Sequence, residues 1–84
     1  MPEPSPFLGP VKRSVTIAGH QTSISLEPVF WTALEEAARG RGLPLSALVA
    51  RIDAERIGQA NPPNLASALR TWLFATNQVA NASH

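Results

Sequence analysis

Cysteine is missing from this chain altogether, which excludes a disulfide scaffold, a thiolate metal site and a cysteine nucleophile. Charge is scarce: seven Lys+Arg stand against six Asp+Glu, for a net charge of +1. Such a balance builds in no strong field for nucleic acid, although cations gathered on one face would still create one locally. No apolar run approaches the roughly 20 residues needed to span a bilayer. The first ten residues lack a basic stretch followed by a long apolar one, so no secretory signal is expected and the expectation is a soluble, cytoplasmic protein. Histidine is limited to His20 and His84, with no carboxylate spaced to help either bind a metal. They read as a turn residue and a terminal residue. No general base sits beside a nucleophile, so neither enzymatic activity nor a cofactor is expected.

At 84 residues there is room for one domain. A chain of this size buries only roughly 60% of the surface that its unfolded form exposes, so a monomer is marginal and a partner copy is implied. Four prolines fall within residues 1–10, and residues 1–11 are expected to form a flexible arm. The folded domain is expected over residues 12–76, followed by a small polar tail, 77–84, expected to fray.

Within the domain, the periodicity changes once. Val15 and Ile17 alternate with Ser14 and Thr16, and Ile24 and Leu26 alternate with Gln21, Ser23 and Ser25. These two strand patterns flank Gly19-His20, which suggests a hairpin with Gly19 at the positive φ of a type II′ turn. The register is then Ala18–Gln21, Ile17–Thr22, Thr16–Ser23, Val15–Ile24 and Ser14–Ser25. It places Ser14, Thr16, Gln21, Ser23 and Ser25 on one face and Val15, Ile17, Thr22, Ile24 and Leu26 on the other. The second strand has an alternative, pairing with the same strand of another chain.

From Pro28 the spacing becomes helical. Pro28 suits the first helical position, where its missing N–H costs nothing, and Glu27 favours the positive end of the helix dipole. Phe30, Trp31, Leu34, Ala37 and Ala38 form an apolar stripe that ends at Gly42, with Arg39 and Arg41 complementing the helix C-terminus. A second helix opens at Pro44 with the stripe Leu45, Leu48, Val49 and Ile52. The breaker Gly58–Pro63 follows. Asn64 then caps a third helix carrying Leu65, Ala68, Leu69, Trp72 and Leu73. Both tryptophans read as core residues. Trp72, Leu73 and Phe74 in succession make the third helix apolar on more than one side, which suggests burial between chains or a higher-order interface.

A strand, a helix, a Gly-Leu turn and a second helix, carried by Ser23-Ile24-Ser25-Leu26, Leu34, Ala38, Gly42-Leu43 and Ser46-Ala47-Leu48-Val49, resemble the ribbon-helix-helix (Arc/MetJ-type) DNA-binding family. The strings KRSVTIAGHQTSISLEPVFW, LSALVARID and NLASALR extend the likeness from Lys12 to about Phe74. They are similar to short bacterial members with an extra C-terminal helix. The resemblance implies a mainly α fold with a short β-ribbon, here with an additional N-terminal strand and a third helix, in an obligate homodimer whose ribbon strands pair antiparallel. It implies a transcriptional regulator whose outward strand residues, by position Gln21, Ser23 and Ser25, read bases in the major groove. Gln can bond adenine bidentately, whereas Ser is an undiscriminating donor and acceptor. Phosphates would be held by Lys12, Arg13 and the N-terminus of the second helix at Leu45 and Ser46.

This chain departs from that pattern in three respects. The ribbon position where relatives often carry a basic residue is Gln21. Pro44 removes one N–H from the anion-binding helix end. If the first strand pairs with the second, a dimer sheet has four strands and is ~19 Å across, against a major groove ~12 Å wide. Either the first strand peels away to cradle phosphates with Lys12 and Arg13, or the sheet serves something other than groove reading. The alternative function is a dimeric protein-interaction module, antitoxin-like in one form, whose sheet face or third helix binds another protein.

Overall fold

Seven residues of alternating burial form β1 (Val11–Ile17), and seven more form β2 (His20–Leu26). The computed structural model describes residues 7–82, with side chains as far as Asn77. Residues 1–6 of the expected arm and 83–84 of the expected tail lie outside the described residues. The two strands make an antiparallel two-stranded sheet, in register from Ile17↔His20 at the turn to Val11↔Leu26 at the open end.

The expected register is therefore wrong, although the expected faces are right. The turn is Ala18-Gly19, both at positive φ (51° and 82°), which is the signature of a type I′ turn. Val15 consequently pairs with Thr22 rather than Ile24, and Ser14 with Ser23 rather than Ser25. The slip moves each residue's partner by two positions, and because strand side chains alternate with period two, no side chain changes face. The end of the hairpin explains the choice. The expected register would set Val11 opposite Pro28, which already opens the first helix and is not extended, whereas the observed one matches seven residues with seven. Holding Ala18 in the left-handed region costs about 1–2 kcal/mol, offset by a fully paired ladder and by a turn whose twist matches the strands.

Three helices follow: α1 (Pro28–Gly40), α2 (Leu45–Ile57) and α3 (Leu65–Ala82). Pro28 stands at the start of α1, as its missing N–H favours. At the other end Gly42, at φ 67°, lets the N–H of Leu43 reach Ala38 C=O (2.9 Å) and its own N–H reach Arg39 C=O (3.1 Å). This is a Schellman cap, which turns the chain sharply into α2. Arg41 closes the same end by donating to Ala37 C=O at 3.1 Å. Asn64 caps α3 as its residue type suggests, its Oδ1 accepting from the N–H of Ser67 at 2.8 Å. The helical backbone of α3 continues past residue 76 to Ala82.

The sheet buries one face against the helices. Val15, Ile17, Ile24 and Leu26 meet Trp31, Leu34 and Ala38 of α1, Leu48, Val49 and Ile52 of α2 and Leu69 of α3 in one core. Trp31 is buried as expected, and Trp72 is half-buried, packed against the core from α3. Two arginines fasten the periphery. Arg56 donates to Asp53 Oδ1 at 2.8 Å and to Pro63 C=O at 3.1 Å, holding the linker before α3.

Arg70, across 43 residues, donates through Nε (3.1 Å) and Nη2 (2.9 Å) to Glu27 Oε1. It also lies 5.6 Å from the centroid of the Phe30 ring. Interaction with its own backbone N–H and then with Arg70 holds the Glu27 carboxyl below the usual carboxylate range. A carboxyl depressed in the folded state stabilises the fold above its unfolded value of about 4.3, and that contribution disappears as pH falls through the folded value. The thermal midpoint of wild type should therefore exceed that of Glu27→Gln at neutral pH. The gap should narrow towards zero in acid; one that stays constant with pH would show that the carboxylate is not the fastening.

Candidate nucleic-acid interface

With one face of the sheet against the core, the other is left to water. Lys12, Ser14 and Thr16 of β1 and Gln21, Ser23 and Ser25 of β2 are all exposed. They are cross-strand partners in three rows, Lys12↔Ser25, Ser14↔Ser23 and Thr16↔Gln21. The result is a small apron of hydroxyl, amide and ammonium groups with no apolar side chain in it. Such groups bond base edges and phosphate oxygens alike, and only the amide of Gln21 offers paired donor and acceptor geometry.

The adjacent cations expected to act together are parted by strand alternation. Lys12 points to the polar apron. Arg13 is a cross-strand partner of Ile24 on the opposite face, half-buried, with its guanidinium 4.7 Å from the centroid of the Trp31 ring and 3.8 Å from Glu35. The same Trp31 donates its indole N–H to Val11 C=O at 2.9 Å. Arg13 and Trp31 together therefore tie the start of β1 to α1.

The remaining cations divide in the same way. Arg41 lies 4.9 Å from the centroid of the Trp72 ring, Arg56 is paired with Asp53 and Arg70 with Glu27. Among the described residues, Lys12, Arg39 and Arg51 make no ion pair or ring contact, and only Lys12 of these lies on the apron. The electrostatic contribution of this face is correspondingly small.

At the start of α2, Pro44 is the residue just before the helix, and its C=O accepts from Ala47 (3.0 Å) and Leu48 (3.2 Å). The Leu45 and Ser46 N–H groups make no hydrogen bond within the described residues, and such first-turn N–H groups suit an anion. The side chain of Leu45 packs on the core, and Ser46 is half-buried.

In the sequence, Ser14 and Thr16 fall on the polar face without a contact to mark them. Their alternation with Val15 and Ile17 was the available signal. It gave no sign of the Glu27–Arg70 or Arg13–Trp31 contacts, which join residues distant in the chain.

An open groove of about 610 Å³ lies between α1 and α3, lined by Val29, Phe30, Ala37, Leu73 and Phe74 among others. Val29 and Phe74 are exposed there. Among the described residues, no helix is long and apolar enough to cross a membrane. The family model described as a ribbon-helix-helix domain matches residues 10–76. No curated protein and no solved structure matches the chain.

Proposed function

Because this chain belongs to the ribbon-helix-helix domain family, we propose that it is a homodimeric transcriptional regulator that lays its β-ribbon in the DNA major groove. The supporting observation is the exposed apron, polar throughout and carried on a sheet whose second strand has an open edge. An open edge is a row of unpaired N–H and C=O groups, and pairing with a second copy satisfies it while covering apolar surface that a small chain leaves exposed.

In this reading Gln21, Ser23 and Ser25 face base edges, with Gln21 the most discriminating because of its bidentate reach to adenine. Lys12 holds phosphate from the apron. The Leu45 N–H and the Ser46 N–H and hydroxyl receive a second phosphate at the start of α2. Arg13 acts indirectly by fixing β1 on Trp31. The protein works without a cofactor or an enzymatic step, in the cytoplasm of a bacterium. Few cations face the DNA, so the affinity is modest and falls with salt by about 0.9 log units per log unit for each phosphate held.

Gel-shift titration at low salt against random duplexes, followed by selection of the bound fraction, tests this reading. A selected sequence is expected, and Gln21→Ala with Ser23→Ala should erase the preference at about 1–3 kcal/mol per lost base contact. Unchanged selection by the double variant would sink the assignment of these residues.

The alternative function, a protein-interaction module, is favoured by one observation, the apolar groove with Val29 and Phe74 at its surface. A groove between two helices suits an amphipathic helix of another protein. In the same titration Phe74→Glu should leave DNA binding intact if the ribbon is the working face.

A further inference from the structure

The sequence leaves two choices: β1 peels off to cradle phosphate, or a sheet too wide for the groove serves something other than groove reading. The structure excludes the first as a resting arrangement. All seven residues of β1 are in register with β2, and Val15 and Ile17 are buried in the core. Val11 C=O is held by the Trp31 indole, and Arg13 lies against the same ring. To peel away, β1 would have to leave the core.

The turn determines which edge is open to a second copy. A two-residue turn closes on a hydrogen-bonded pair, here Ile17↔His20, and such pairs alternate along an antiparallel ladder. His20, Thr22, Ile24 and Leu26 therefore direct their backbone groups towards β1, while Gln21, Ser23 and Ser25 direct theirs to the open edge. Two copies of that edge are self-complementary about Ser23, with Gln21 opposite Ser25 of the second copy. The apron then spans the dimer in rows, the outer ones reading Lys12, Ser25, Gln21, Thr16 from one β1 to the other.

We propose that β1 supplies the outer strands of this sheet and that Lys12, Ser14 and Thr16 contact the phosphate backbones on the two sides of the groove. This rests on the DNA-binding reading above, which already gives Lys12 a phosphate, and adds Ser14 and Thr16 and the place of β1 over the groove walls. The widths carry the argument. The two central β2 strands lie ~4.8 Å apart, well inside a groove ~12 Å wide, whereas the two β1 strands, three spacings apart, are separated by ~14 Å. Only the inner pair fits between the walls; the outer pair overlies them. The chemistry agrees with the position. The inner strands carry the amide that can discriminate a base, and the outer strands carry an ammonium and two hydroxyls, the usual partners of phosphate oxygens.

The test uses the full chain and compares Lys12→Gln, Ser14→Ala with Thr16→Ala, and Gln21→Ala. Binding to the selected duplex and to a scrambled duplex is measured by fluorescence anisotropy between 50 and 200 mM salt. All substituted positions are exposed, and circular dichroism checks that each variant folds. Lys12→Gln should lower the salt slope by about 1.8, two phosphates per dimer at 0.9 each. Wild type should then lose about twelve-fold more affinity than the variant over that fourfold rise in salt. The Ser14 and Thr16 substitutions should weaken both duplexes by the same factor and keep the preference, whereas Gln21→Ala should reduce the preference itself.

A changed preference in the β1 variants would mean that β1 enters the groove, overturning the assignment. If Gln21→Ala weakens binding while all β1 variants match wild type in affinity and slope, the proposal fails and the DNA reading stands. If wild type binds neither duplex at low salt, both fall.

Discussion

Trp31→Ala is expected to remove much of the stability of this protein. The ring is 3% exposed, and truncating a buried aromatic to alanine costs about 3–5 kcal/mol. A domain of this length has roughly 4–13 kcal/mol in total, at 0.05–0.15 kcal/mol per residue. The damage extends beyond the cavity, because the ring also holds β1 through the bond to Val11 C=O and the stacked Arg13. Trp31→Phe separates the two contributions. It keeps most of the apolar ring and deletes the N–H, so a loss near 1 kcal/mol is expected. Urea denaturation followed by far-ultraviolet circular dichroism at fixed protein concentration measures both. If Trp31→Ala came within 1 kcal/mol of wild type, the ring would not be the anchor described.

The second large effect concerns α3, which lies beyond the strand-helix-helix unit. Leu69 is 0% exposed and belongs to the same core as Leu26, Leu34 and Leu48. Leu69→Ala should therefore cost about 2–5 kcal/mol, the range for a leucine deleted from a packed interior. Phe74, 67% exposed on the same helix, should tolerate alanine within about 0.5 kcal/mol. The contrast between the two substitutions is the informative quantity. An α3 that merely decorated the domain would give equally small losses at both positions, with an unchanged urea midpoint.

Much of this architecture is visible in residue spacing. The period-two stretches around Val15 and Ile24 and the helical stripe through Trp31, Leu34 and Ala38 assign the elements and their buried faces, because each pattern repeats over a few residues. Gly42 and Asn64 mark helix ends for equally local reasons, a positive φ in one case and a side-chain acceptor in the other. The strand register was less accessible. Type I′ and type II′ turns both satisfy the sequence around Gly19 and leave the same side chains on the same faces. The choice between them depended on the far end of the hairpin, where α1 begins at Pro28 and leaves Val11 no extended partner.

For the candidate interface, the polar apron was legible and its electrostatics were not. Lys12 and Arg13 are neighbours in the chain and look alike on paper, but a strand sends them to opposite faces. Only the folded chain puts Trp31 and Glu35 beside Arg13, and Glu27 beside Arg70, 43 residues away.

By itself, then, the amino-acid sequence determined the elements, their order, their caps and the face each turns inward, since all of these follow from interactions within a few residues. The tertiary structure alone decided the register of the hairpin, the anchoring of β1 and the engagement of Arg13, Arg41 and Arg70, three of the seven cations, within the molecule. These depend on contacts across elements, and packing sets such contacts without leaving a local pattern to read.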